Sequence, residues 1–170
     1  MEATKSAIKS YLTFRLGEET FAANVGKVLN ILEMVKITQV PRSPDYMKGV
    51  INLRGSVLAV IDTRIKFGLS PTVISKNTCI LVLDITIDSE DVTIGALVDS
   101  VQEVIEIDEN TIQPSPSIGS KYKSEFITGM LKHNDQFIML LDIDKVFSTE
   151  DIVVLKETTE IAEFEKKMNE

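Results

Sequence analysis

Histidine and cysteine are nearly missing from this chain of 170 residues, which has one of each, His133 and Cys79. A single cysteine closes no internal disulfide, so the sequence predicts a protein of a reducing cytoplasm. A hydrolytic triad or a metal site ordinarily draws on histidine, and the only one sits in the polar turn Lys132-His133-Asn134-Asp135, where a surface role is expected. Cys79 opens the aliphatic run CILVL, which predicts a buried, inert thiol. Neither the Walker phosphate loop nor the dinucleotide glycine fingerprint occurs. The expectation is a protein that is no enzyme and holds no cofactor and no metal.

Long apolar runs are missing as well. Val57 to Ile61 and Phe137 to Leu141 are among the longest, far short of the ~20 residues a bilayer-spanning helix needs. The opening MEATKSAIKS lacks the apolar core of a secretory signal, so export is not expected. A formal charge of -8 argues against nucleic acid, whose binding rests on lysine and arginine displacing counterions. The distribution says more than the total: residues 1 to 80 carry 11 Lys and Arg against 6 Asp and Glu, and the remainder 7 against 20. Such polarity fits distinct faces for different protein partners.

What is present is apolar alternation, in a chain that is 44% hydrophobic and long enough for one sizeable core or two small ones. Leu12, Phe14 and Leu16 lie on one side of a strand; Gly17-Glu18-Glu19-Thr20 makes a turn before Phe21, Ala23 and Val25. Further strands are predicted over 27–34, 50–53, 57–61, 79–85, 93–98, 101–107, 127–132 and 136–141. Two short helical turns are expected, one over 43–49 with Pro44 at its first position and Gly49 as its stop, one over 62–68 with Asp62 as cap and Gly68 as stop. From Ser148 a capping-box pattern with Asp151 leads into Ile161, Phe164 and Met168 at helical spacing, which predicts an amphipathic C-terminal helix packed on the parent fold or anchoring a partner. Asp88, Glu90 and Asp91 lack the ligand spacing of a calcium loop and are read as a solvated connection.

The chain also repeats itself without gaps. Adding 80 carries Gly49, Asp62 and Phe67 onto Gly129, Asp142 and Phe147, with Val57 to Ile61 falling on Phe137 to Leu141. A spacing of 73 carries Ala23, Val25, Val28, Ile31 and Leu32 onto Ala96, Val98, Val101, Val104 and Ile105. One β unit therefore occurs twice. The repeat sets Leu53-Arg54-Gly55 against His133-Asn134-Asp135, a hairpin turn, so Arg54 is expected as an exposed charge at a turn tip and not as a buried one needing a partner.

The stretches LGEETFAANVGKV, VPRSPDYMKGVINLRGSVLAVIDTRIKFGL, TIGALVDSVQEVIEI, Ile112-Gln113-Pro114-Ser115-Pro116 and EFITGMLKHNDQFIMLLDIDKVF follow one another in an order that resembles the CheW family of chemotaxis coupling proteins. The resemblance covers about residues 11 to 147, and the block from Lys48 to Phe67 is its most specific part. It implies a mainly β fold of two intertwined five-stranded SH3-like barrels over residues 8–150, and the helical spacing read above makes residues 151–170 a C-terminal helical tail. It further implies a noncatalytic adaptor that links the cytoplasmic tip of methyl-accepting chemoreceptors to the regulatory domain of the histidine kinase CheA, cytoplasmic and associated with receptor arrays. By the same resemblance, Val28, Arg54 and Gly55 take receptor binding, while Asn30, Gly49, Gly95, Val101, Val104 and Gly129 take kinase binding or coupling. Asn30 stands where the family often has a glutamate used at the kinase interface, and Gly26 replaces a usual aliphatic residue. The other reading is a stand-alone regulatory or ligand-sensing β domain serving another signalling system.

Overall fold

Three hairpins reverse through two residues that both carry positive φ: Arg54 and Gly55, Asp88 and Ser89, Asn134 and Asp135. That backbone matches the right-handed twist of the strands it joins, which is why Gly, Asn and Asp gather at these points. The computed structural model describes residues 8–114 and 126–168. Its strands are β1 (Ile8–Leu16), β2 (Glu19–Asn24), β3 (Val28–Glu33), β4 (Met47–Leu53), β5 (Ser56–Asp62), β6 (Cys79–Ile87), β7 (Glu90–Val98), β8 (Ser100–Asp108), β9 (Ile127–His133) and β10 (Gln136–Leu141). Three helices follow strands of the two copies: α1 (Thr63–Lys66) after β5, then α2 (Ile143–Val146) and α3 (Thr149–Met168) after β10.

Two five-stranded sheets result, in the orders β8-β1-β2-β10-β9 and β3-β6-β7-β5-β4. Replacing each strand of the first sheet by its repeat partner gives the second, so the duplication read in the sequence is a duplication of architecture. The halves are interlaced: β1 and β2 pair with the β8 to β10 segment, and β6 and β7 with β3 to β5. Each sheet is closed by one extra bridge from the chain beyond its edge strand. Thr38 and Val50 exchange N–H···O bonds of 2.9 and 2.8 Å, and Gln113 and Met130 do the same at 2.9 and 2.8 Å.

The apolar core follows from this closure. Inside one barrel lie Tyr11, Ala22, Ile105, Ile107, Ile138 and Leu140, and inside the other Ile51, Leu58, Val60, Ile80, Val82 and Leu97. A third and larger cluster draws alternate residues of both sheets together, among them Leu12, Phe21, Ile61, Leu81, Ile94 and Met139. Central strands are thus covered on both faces, one by their own barrel and one by the neighbour, which is why runs such as LAVI and CILVL show no polar face. Aromatic rings bridge the joint: Phe67 meets Phe21 edge-on at 5.4 Å and stacks on Phe126 at 4.6 Å between centroids.

Three local expectations are corrected. Val25 belongs to a single 3₁₀ turn over Val25–Lys27, capped by the Asn24 side chain, where the chain leaves one sheet for the other. Residues 43–49 form one turn, closed by Met47 N–H to Pro44 O at 3.0 Å, and no helix. Met47 is buried opposite Ile61, so core packing takes Met47 to Gly49 into β4. Cys79 is only half-buried at the start of β6, its thiol near the Asn77 carbonyl at 3.2 Å. The 62–68 turn forms as read, with Asp62 accepting from the Arg64 N–H at 3.1 Å and Gly68 at positive φ. The Ser148 and Asp151 capping box also closes, at 3.1 and 3.0 Å, and buries Ile152 and Leu155 as α3 packs against β5. Met168 is exposed, while the side chains of Ile161 and Phe164, and residues Ser115 and Pro116, lie outside the described residues.

Candidate functional site

Arg54 tops the β4–β5 hairpin. Leu53 and Ser56 close the ladder beneath it, and the Asn52 side chain accepts the Gly55 N–H at 2.9 Å, so the turn is held by its own polar groups. Both turn residues are exposed, and among the described residues none forms an ion pair with the Arg54 guanidinium. A planar donor set of this kind is presented to solvent ready for a carboxylate. At the equivalent β9–β10 turn the tip is Asn134-Asp135, and neighbouring His133 lies 3.6 Å from Glu103.

Val28 opens β3, the edge strand opposite β4 in the same sheet. The register slips by one residue against β6, with Val28 opposite Leu83 and Asn30 opposite Val82. Val28 is half-buried against the inter-barrel core. The Asn30 side chain accepts its neighbour's N–H, from Ile31 at 2.8 Å, and so folds back on its own strand. On β8, the repeat partner of β3, Val101 packs half-buried against the same core while Val104 is 59% exposed. Ile31, the repeat equivalent of Val104, is 44% exposed. The two edge strands thus carry matching apolar rims where the barrels meet.

Glycines 49, 95 and 129 are buried and do not belong to either rim. A Cβ on Gly49 would stand 2.3 Å from the Thr38 carbonyl oxygen, and one on Gly129 would meet Ile112 Cγ2 at 2.3 Å and Gln113 O at 2.7 Å. Both therefore let the barrel-closing bridges approach. Gly95 lies beside the fully buried Ile80, whose Cγ2 would be 2.9 Å from such a Cβ.

Two ion pairs cross the joint. Arg64 on α1 holds Asp99 through Nε at 3.0–3.1 Å and Nη2 at 2.6 Å, and Asp99 also accepts the Gly17 N–H at 2.5 Å. Asp144 on α2 accepts the Thr86 N–H at 2.8 Å and pairs with Lys27 Nζ at 2.9 Å. The Asp144 hydrogen bond, against a smaller opposing effect of burial, holds the Lys27 pKa above its ordinary value. Under α3, Asp151 collects Lys66 at 2.6 Å, the Tyr46 hydroxyl at 3.0 Å and the Ser148 N–H at 3.0 Å. Burial pushes the Asp151 pKa up, yet these donors outweigh it and leave the carboxyl below its ordinary value. Burial, and then the Asp151 bond, raise the Tyr46 hydroxyl far above its usual range.

Several exposed apolar side chains escaped the sequence reading. Leu29 is 57% exposed and Val35 48%, extending the β3 rim. Val73 and Ile74 project from the loop after α1, just beyond Thr72, which buried Asp62 grips through both N–H (3.0 Å) and Oγ1 (2.7 Å). The signal for Leu29 was present, since apolar residues on both faces of an edge strand exceed what one core needs. Among the described residues no cluster of His, Cys, Asp and Glu is arranged to hold a metal, and no described helix is long and apolar enough to cross a membrane. An exposed guanidinium, apolar rims and edge strands equip this surface for docking proteins.

Comparison with known proteins matches residues 10–151 to the CheW-like domain family. A chemotaxis protein CheW of Thermotoga maritima is 32% identical over 91% of this chain and 97% of its own length. A probable chemotaxis protein CheW of Rhizobium etli is 33% identical over 82% of this chain and 88% of its own. Among solved structures, the scaffolding protein TtCheW of Thermoanaerobacter tengcongensis superposes with a TM-score of 0.74 at 32% identity, covering 84% of this chain and 90% of that one.

Proposed function

Because the chain belongs to the CheW-like family, we propose that it is a chemotaxis scaffold, an adaptor that couples chemoreceptors to the histidine kinase CheA. The adaptor domain occupies residues 8–150, and residues 151–170 form the tail. Work of this kind is positional and noncatalytic: two surfaces on one rigid double barrel set the spacing between receptor and kinase. Val28, Arg54 and Gly55 face the cytoplasmic tip of methyl-accepting receptors, where valine meets an apolar helix stripe and arginine an acidic side chain. Asn30, Val101 and Val104 serve the regulatory domain of the kinase or its coupling, and Gly49, Gly95 and Gly129 hold the backbone that presents them. The protein works in the cytoplasm beside membrane-bound receptor arrays, without inserting in the bilayer.

The observation that carries this reading is the family match across residues 10–151, with Arg54 exposed at a turn that the chain's own polar groups already satisfy. The test is a mixture of purified protein, cognate CheA and a soluble receptor signalling fragment, followed by co-sedimentation and kinase autophosphorylation. A ternary complex and changed kinase activity are expected. Absence of a complex at micromolar concentrations would leave the stand-alone regulatory domain as the better account.

A further inference from the structure

Arg64 and Asp144 occupy equivalent places, the second residue of the short helices that follow β5 and β10. Each reaches the other barrel, yet with opposite charge: a cation toward Asp99 in one copy and an anion toward Lys27 in the other. Both pairs close on the points where the chain passes between sheets. Asp99 joins β7 to β8, and Lys27 ends the 3₁₀ turn that joins β2 to β3.

The second crossing needs such a fixture. A turn of three residues supplies little hydrogen bonding, here the Asn24 cap on Gly26 N–H and the Val28 N–H on Val25 O. The ladder beyond is regular only from Asn30 to Glu33, because its register slips between Val28 and Asn30. Asp144 is itself held through one oxygen by the Thr86 N–H and gives the other to Lys27.

We infer that Lys27 and Asp144 form a positioning clasp for receptor binding, fixing where β3 begins and so how Val28 and the exposed Leu29 are presented. This rests on the receptor-binding role proposed for Val28. The pair is partly exposed, so its contribution is modest and is screened by salt.

The test measures affinity for a soluble receptor signalling fragment by titration calorimetry, with near-UV circular dichroism and melting as fold controls. Asp144→Asn should weaken binding about three- to fivefold, the upper part of the range of a partly exposed pair. Asp144→Glu, which keeps the charge, should bind within about twofold of the native protein, and the deficit of Asp144→Asn should shrink between about 0.05 and about 0.5 M salt. Glu90→Gln, which removes the charge from another exposed pair, the one with Lys156, should change nothing. Should Asp144→Asn fail to fold, Lys27→Met leaves Asp144 on Thr86 and carries the same expectation. Native affinity in the folded variant, or a loss that glutamate does not rescue and salt does not diminish, overturns the clasp while leaving the adaptor role standing. Failure of the native protein to bind the fragment overturns the receptor reading of Val28 and the clasp with it.

Discussion

Replacing Gly49 by alanine should be the most damaging single-methyl change on the β4 edge, and its cost follows from geometry. The added Cβ would lie 2.3 Å from Thr38 O and 2.8 Å from the Thr38 carbonyl carbon, both backbone atoms that cannot rotate away. Relief requires moving residues 37 and 38 outward, which breaks the 2.9 and 2.8 Å bonds closing the barrel. Two net hydrogen bonds at about 1 kcal/mol each and a φ of +153 that alanine tolerates poorly give together about 3–4 kcal/mol. For a protein of this size that is roughly a 10 °C fall in melting temperature. Gly55→Ala is the internal reference: φ is +86 but nothing lies within 4 Å, so only about 1 kcal/mol of backbone strain is expected. Gly129→Ala should fall between them, because its backbone clash, with Gln113 O at 2.7 Å, is milder than the 2.3 Å one at Gly49 and its φ is not positive. Urea unfolding followed by far-UV circular dichroism gives the three values. Equal losses for Gly49→Ala and Gly55→Ala would refute the claim that Gly49 exists to admit the Thr38 bridge.

Arg54→Glu should fold as the native protein does, melting within about 2 °C of it because the site is exposed and forms no ion pair among the described residues, yet bind the receptor fragment more weakly. Unfolding would show Arg54 to be structural, and unchanged affinity would remove it from the interface. Thr63→Val should stabilise by about 1–2 kcal/mol in urea titrations, since Thr63 Oγ1 is buried without a hydrogen-bond partner among the described residues; destabilisation would reveal a partner for that hydroxyl. Asp151 has a folded-state pKa below its ordinary 3.8, so its stabilisation is complete above that value and is lost as pH falls through the lower folded one. The stability gap between native protein and Asp151→Asn should therefore be constant from neutral pH down to about pH 5 and close below about pH 4. A gap that persists unchanged at pH 2.5 would contradict the assignment.

Features set by neighbours in the chain were legible before any coordinates. Arg54-Gly55 and Asn134-Asp135 are two-residue turns, so their chemistry is local, and the fixed spacings of 80 and 73 exposed the duplicated unit. Asp62 and Ser148 were readable as caps for the same reason. Gly49 was misread because Ser43-Pro44-Asp45 carries good helix-start chemistry, while the true demand on the glycine comes from Thr38 across the barrel. Long separations also hid the clasps, with Arg64 and Asp99 lying 35 residues apart and Lys27 meeting Asp144 from the other half of the chain. Cys79 looked buried because its neighbours in sequence are aliphatic, but it stands at the end of its strand where burial fades. The roles proposed for Val28 and Val101 come from the resemblance alone, since a half-buried valine on an edge strand has a sufficient explanation in the core.

The interlaced strands have the contact pattern of two half-length chains that exchange arms about a two-fold axis, as in an isologous dimer. A true dimer of that kind would show every partner two identical faces and could not tell one end of itself from the other. Joining the halves in one chain lets them diverge. A cation now tips one hairpin and Asn134-Asp135 the other, and the two clasps carry opposite polarity. The covalent duplication has given a symmetric framework a direction, so that a partner docked at one end need not compete with a partner at the other.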